Sequence, residues 1–346
     1  MMKTTIEHLD DRVKHVHICD EDAPLTEYYT VKHLGDKSIL GGSLSCKYIR
    51  QFCLARPKTA TVVAVKRYAA PVLYDFLHER QAFCYLNELH NKHINKLLAT
   101  YTHGKEHFMV FQIAETDLDG LWLRTDSCQE LKADIRWFLR ETKGLASALS
   151  DMHDLIISKS AHPITGFLHG DIKPSNILVT QDKTLVWNDF ELSAWSGGSP
   201  PRITTRTYSA PETQLWEEVT QASDIWSFGC VILEFVLWLL RGSEGLEKFA
   251  QERIMATPGS TLPFKDDQFF MQDYSESEVT SAKVRATVKD YAHSLRSDKR
   301  CCQVLKDTLN LVMQYMLVVQ QEDRKSAGQI AEAFEAFVAK QEKTLH

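Results

Sequence analysis

His169-Gly170-Asp171-Ile172-Lys173-Pro174-Ser175-Asn176, followed a little later by Asn188-Asp189-Phe190-Glu191, decides how this chain is read. Two carboxylates, a lysine and an amide stand at fixed separations. Asp171 lies 5 residues before Asn176 and 18 before Asp189. The stretch between, Ile177 to Trp187, reads as strand, polar turn and strand, which predicts a tight hairpin that returns both ends to one place. Phosphoryl transfer needs a base near an incoming hydroxyl and oxygen ligands for magnesium. Asp171 fits the base, and Asn176 and Asp189 fit the metal ligands. Any one of these residues alone reads more simply as an ordinary loop side chain. The whole string carries the argument.

Four further strings follow suit. They are Val63-Ala64-Val65-Lys66, Ala210-Pro211-Glu212, Asp224-Ile225-Trp226-Ser227-Phe228-Gly229 and Asp323-Arg324-Lys325-Ser326-Ala327. Together the five resemble the motifs of eukaryotic-type protein kinases, in family order, from about Leu34 to about Phe337. The resemblance implies an α+β, two-lobed fold, with a small antiparallel β lobe carrying one helix and a larger, mostly helical lobe. The implied division is a lead-in over 1–30, a small lobe over 31–113 and a large lobe over 114–340. It implies ATP and Mg²⁺ as cofactors and a protein as the substrate. Lys66 matches the lysine on the α and β phosphates, and Asp171 the catalytic base. Lys173, two residues on, is as in serine/threonine members. Thr205 matches a threonine that contacts that aspartate and lysine. Ala114 and Asp117 match the nucleotide-binding hinge. Glu212 and Arg324 match a buried ion pair, and Asp224 a carboxylate that binds the catalytic-loop backbone. The H-G-D-x-K-P-x-N variant resembles divergent kinase-like proteins of filamentous fungi.

The phosphate-binding lysine needs a carboxylate from the helix after it. The usual spacing falls on Ala82, and Glu79, about one turn earlier on the same face, is the choice, with Glu88 next. Three departures from the family pattern stand out. The glycine-rich loop is reduced to Leu40-Gly41-Gly42-Ser43-Leu44-Ser45-Cys46. Gly41 and Gly42 remain to approach the nucleotide, and Cys46 adds a side chain where a glycine is expected. Gly170 replaces the arginine that reads an activation-loop phosphate, so activity should not need that phosphate. Glu191 replaces the glycine of D-F-G, which restricts the loop and adds negative charge near the metal. Two readings follow: an ATP-dependent serine/threonine kinase, or a pseudokinase that serves as a nucleotide-binding or protein-interaction scaffold.

Composition fits an ordinary globular chain of 346 residues, 44% hydrophobic and 25% charged. A net charge of −6 argues against nucleic acid as a partner. Eight scattered cysteines form no C-x-x-C pair, which argues against a zinc site. Met1 to Asp11 is polar and shows no signal peptide, so an intracellular protein, cytoplasmic or nuclear, with reduced thiols is expected. Ile225 to Leu240 is apolar but short of the ~20 residues of a membrane span, and Glu234 interrupts it; a buried core helix is expected. Strands are expected over 48–54, 61–68 and 107–113. Helices are expected after Pro71, with Leu73, Phe76, Leu77, Phe83, Leu86 and Leu89 on one face, and near 131–155, 304–319 and 327–340. The turn-rich loop 158–166 reads as an insertion, and for the hydroxyls of Thr204, Thr207 and Tyr208 a solvated-loop role weighs at least as much as a functional one.

Overall fold

The computed structural model describes residues 15–18, 30–36, 49–56, 59–68, 72–103, 105–124, 134–157, 164–195, 206–215, 218–254, 266–275 and 278–343. The glycine-loop residues Gly41, Gly42 and Cys46, and Thr205, lie outside them. The chain divides into two compact units. The first is Met1–Leu118 with Ile177–Glu191, and the second is Asp119–Asn176 with Leu192–His346.

A six-stranded sheet forms the first unit. Its strands are β1 (His15–Ile18), β2 (Thr30–Asp36), β3 (Ile49–Arg56), β4 (Thr59–Tyr68), β5 (Leu97–His103) and β6 (Glu106–Gln112). Their order is β1-β5-β6-β4-β3-β2, antiparallel except for β1 beside β5. The β-branched run Thr61-Val62-Val63 explains why β4 is extended. Strand alternation puts Val63 and Val65 on one face and Lys66 and Tyr68 on the other. All four are buried, so β4 is covered on both sides.

Helix α1 (Leu73–Leu86) follows β4. Its buried face is Phe76, Glu79, Arg80 and Ala82 to Leu86, whereas Leu73 is exposed. The apolar stripe expected from the sequence is therefore rotated, because two charged residues are drawn inside. Strand β7 (Thr116–Asp117) pairs with β11 (Ile177–Val179), which pairs with β12 (Leu185–Trp187). The expected hairpin is thus present. Trp187 N–H donates to the His93 carbonyl at 2.8 Å and ties the hairpin to the rest of its unit.

Helices dominate the second unit: α2 (Leu118–Leu123), α3 (Ile135–His153), α4 (Ala222–Arg253), α5 (Ala286–Arg296), α6 (Gln303–Tyr315) and α7 (Ala327–Lys343). Helix α3 starts at Ile135 because Asp134 caps it, accepting from Trp137 N–H at 3.0 Å. Helix α4 is long and apolar enough to cross a membrane, yet 89% of its most apolar stretch is buried within the protein. It is the core helix expected. Phe235 on it is ringed by Trp122, Trp137, Phe138 and Trp238 at centroid distances of 4.9–6.0 Å. Gly242 breaks its regular helix at φ 69°, where a side chain would strain the backbone.

Short pairs complete this unit: β8 (Ile156–Ile157) with β9 (Ile164–Thr165), β10 (Phe167–Leu168) with β13 (Ala194–Trp195), and β14 (Phe270–Ser275) with β15 (Glu278–Val284). The β14–β15 hairpin has no counterpart among the sequence expectations, since its mixed polar pattern carries no clean period of two.

Candidate active site

The first unit gathers charge around one ammonium. Lys66, on β4, reaches Glu79 of α1 at 2.6 Å, Asp189 at 2.9 Å and Glu191 at 3.6 Å. Glu79 is 1% exposed, so of the two candidates named from sequence it is the one placed on Lys66. Tyr68 adds its hydroxyl, which donates to Glu79. The sequence reading missed Tyr68, although strand periodicity puts residues 66 and 68 on one face. Burial raises the Glu79 carboxyl to about 7; the Lys66 charge opposes this, and the Asp189 charge reinforces it. The ring of His78, next to Glu79, hydrogen-bonds the Glu191 backbone carbonyl, while burial lowers its pKa.

Asp189 sits at φ 64°, left-handed for a residue with a side chain, a conformation that costs on the order of 1–3 kcal/mol. Its neighbours hold it there. Asn188 accepts from Asn95 at 2.7 Å, and Phe190 is fully buried, edge-on to Phe83 of α1 at 5.1 Å. The residues expected at the hinge follow β6: Ala114 is half-buried, and Asp117 is buried, paired with Leu178 in the β7–β11 ladder. Glu115 N–H donates to the Val179 carbonyl at 2.9 Å.

The second unit holds the expected catalytic loop. Asp171 Oδ2 accepts from Lys173 Nζ at 2.6 Å and from Asn176 Nδ2 at 2.9 Å. Asn176 also donates to the Asp171 backbone carbonyl at 2.8 Å. The five-residue spacing thus closes on itself, helped by the single 3₁₀ turn Pro174–Asn176. From α4, Asp224 accepts the backbone N–H groups of His169 at 2.8 Å and Gly170 at 3.0 Å, and faces His153 Nε2 at 3.0 Å. Burial alone would raise the Asp224 carboxyl, but the His153 bond and charge, the His169 charge and the Gly170 N–H bring it below its ordinary value.

Gly170 has a backbone reason to be glycine. Its φ is 81°, and a Cβ there would stand 2.4 Å from the Leu192 carbonyl oxygen. An arginine in this backbone would be both strained and blocked.

The stretch Ala210-Pro211-Glu212, matched by resemblance to the end of an activation segment, is pinned within the same unit. Arg324 grips Glu212 with two bonds of 2.7 and 2.8 Å, both side chains fully buried. Tyr208, expected as a solvated hydroxyl, instead donates to the buried Glu234 at 2.8 Å, and Arg253 donates to Glu234 at 3.0 Å. The Arg253 guanidinium lies against the rings of Phe249 and Phe269 at 4.0 and 4.2 Å. Thr207, also expected in solvent, donates to Asp267 at 2.8 Å. Only the apolar surroundings of Glu234 in the sequence hinted that it needed buried partners.

The donor chemistry suits a hard cation. Asp189, Glu79 and Glu191 offer carboxylate oxygens within 4.8 Å of one another, and magnesium takes oxygen ligands. Asn176 has its amide nitrogen engaged by Asp171, so its side-chain oxygen is the atom suited to a cation. The two expected metal ligands belong to different units, Asp189 to the first and Asn176 to the second.

The protein kinase domain family matches residues 52–334. The chain is 25% identical over 281 residues to mitogen-activated protein kinase 13 of Mus musculus, covering 76% of this chain and 70% of that one. It is 29% identical over 240 residues to cyclin-dependent kinase D-1 of Oryza sativa, covering 65% and 52%. It is 30% identical over 195 residues to a probable leucine-rich repeat receptor-like protein kinase of Arabidopsis thaliana, covering 51% of this chain and 16% of that one. The chain thus spans about half of the cyclin-dependent kinase and a small part of the receptor-like kinase. The narrower likeness to fungal kinase-like proteins stays a reading of the H-G-D variant. With the motifs in order, the α+β architecture and a family match over most of its length, the chain belongs to the protein kinase family.

Proposed function

We propose that this chain is an ATP-dependent serine/threonine protein kinase that moves the γ-phosphoryl group of Mg-ATP to a protein hydroxyl. The observation that carries the reading is that Lys66 is held by Glu79 and Asp189 while Asp171 is held by Lys173 and Asn176. These are the charged and amide groups that the reaction requires. In this reading Lys66 binds the α and β phosphates, and Asn176 and Asp189 hold the metal. Mg²⁺, when bound, neutralises charge on the phosphate oxygens. Asp171 Oδ2 is fixed by its two donors, which leaves Oδ1 to orient the hydroxyl and take its proton. The hydroxyl oxygen bonds to the γ-phosphorus, the bond to the β–γ bridging oxygen breaks, and ADP leaves. Lys173, on Asp171, steadies charge on the transferring group. Gly41, Gly42, Ala114, Asp117 and Thr205 keep the roles that the resemblance implies.

In this reading the chain works inside the cell, in cytoplasm or nucleus. Among the described residues Cys230, Cys301 and Cys302 stand outside disulfides, which suits a reducing compartment. A scaffold without phosphoryl transfer is the second reading, favoured by Glu191 beside Lys66.

Calorimetric titration tests the nucleotide half of the proposal. Asp189→Asn should lose Mg²⁺-dependent ATP binding while its thermal unfolding stays cooperative. Unchanged Mg-ATP affinity in that variant removes Asp189 from the metal.

A further inference from the structure

Lys66 faces three carboxylates, and one of them, Glu191, has no equivalent in the D-F-G pattern. We propose that Glu191 is an internal occupant of the phosphate-binding lysine, and that it makes nucleotide binding conditional on a divalent cation. Metal-free ATP is turned away and Mg-ATP is admitted. This rests on the reading of Lys66 as the phosphate-binding residue.

Carboxylates outnumber the ammonium around Lys66. One ammonium is set against Glu79, Asp189 and Glu191, at 2.6, 2.9 and 3.6 Å. A bare polyphosphate approaching Lys66 meets an excess of negative charge in a partly desolvated place, where like charges repel strongly. A divalent cation among the carboxylates reverses that sign. Their oxygens lie within 4.8 Å of one another, close enough for each to feel the same ion. Glu191 therefore disfavours phosphate and favours metal, and the two effects multiply into a coupling between ligands.

Position adds to charge. Glu191 is tethered on its main chain as well as through its side chain. The His78 ring of α1 hydrogen-bonds its carbonyl, and the preceding Phe190 is buried against Phe83 of the same helix. The Glu191 side chain is 14% exposed. It has little room to swing into water when phosphate arrives. A glycine at 191 would supply neither the charge nor the obstruction.

The test is calorimetric titration of the whole chain with three probes: adenosine, ATP with a chelator, and ATP with Mg²⁺. The parent is compared with Glu191→Gln and Glu191→Gly. Glu191→Gln should bind metal-free ATP about tenfold tighter than the parent, a shift of about 1.4 kcal/mol. Its Mg-ATP affinity should change less than about threefold, and its adenosine affinity should not change. Glu191→Gly repeats the comparison without a side chain and guards against a poorly folded glutamine variant. If Mg-ATP still binds but both variants leave metal-free ATP unchanged, the inference is wrong. An equal gain for adenosine also overturns it, since adenosine carries no phosphate. A parent that binds none of the three overturns the nucleotide reading itself, a different outcome from either of these.

Discussion

Two charged clusters, one in each compact unit, differ in how their charge is balanced. Around Asp171 the donors match the acceptors: Lys173 and Asn176 serve the carboxylate, and Asp224 serves the loop backbone. Around Lys66 a single ammonium and the Tyr68 hydroxyl face three carboxylates. A matched cluster needs nothing more to hold its shape. An acid-rich cluster leaves charge unbalanced, and burial raises one of its members, Glu79, to about 7. In the proposed reading the first arrangement orients a group and the second receives a cation.

The largest effect should come from the best matched pair. Arg324→Ala leaves Glu212 buried and unpaired, and should lower the unfolding free energy by about 3–5 kcal/mol in denaturant titration. A loss below about 1 kcal/mol would mean that this pair behaves like an exposed one.

The acid-rich cluster should reveal itself through pH. The Glu79 carboxyl stands at about 7 in the folded protein, against an ordinary 4.5. Between those values the folded protein holds a proton that the unfolded chain has released. The associated stability is fully present below about 4.5 and is lost as pH rises through about 7. Relative to Glu79→Gln, the parent should lose on the order of 3 kcal/mol from pH 4.5 to 7.5. Parallel stability curves for the two proteins would show that Glu79 is ionised throughout.

A smaller effect should follow at the catalytic loop. Gly170→Ala forces a side chain to φ 81° against the Leu192 carbonyl, and should cost about 1–3 kcal/mol. Phosphoryl transfer should fall with it, because residue 171 is next in the chain. A neutral substitution would show that the loop backbone gives way freely, and that its bonds to Asp224 do not fix it.

Much of this was legible in the sequence, for physical reasons that can be named. The hairpin between Ile177 and Trp187 shows because two apolar runs flank a polar turn. Glu79 shows because one helical turn links it to the position where a carboxylate is wanted. The buried helix holding Phe235 shows through its apolar length. What escaped depends on backbone conformation or long-range pairing. Nothing in H-G-D tells that residue 170 has positive φ. Glu191 reads as a charge near a metal, whereas its contact with Lys66 depends on how residues 125 apart in the chain are brought together. Tyr208 looks like any loop hydroxyl until Glu234 and Arg253, from the apolar helix, are found beneath it. The β14–β15 hairpin lacks a clean alternation.

Asp171 serves either chemistry or only shape, and the choice decides between an enzyme and a scaffold. The direct measurement is transfer of radiolabelled γ-phosphate from Mg-ATP to a generic protein substrate, for the parent and for Asp171→Ala. The parent should transfer phosphate to serine or threonine, and Asp171→Ala should fall by about 10²–10⁴-fold while still binding Mg-ATP. A parent that binds Mg-ATP yet transfers no more than Asp171→Ala would contradict the account and leave the chain a nucleotide-binding scaffold.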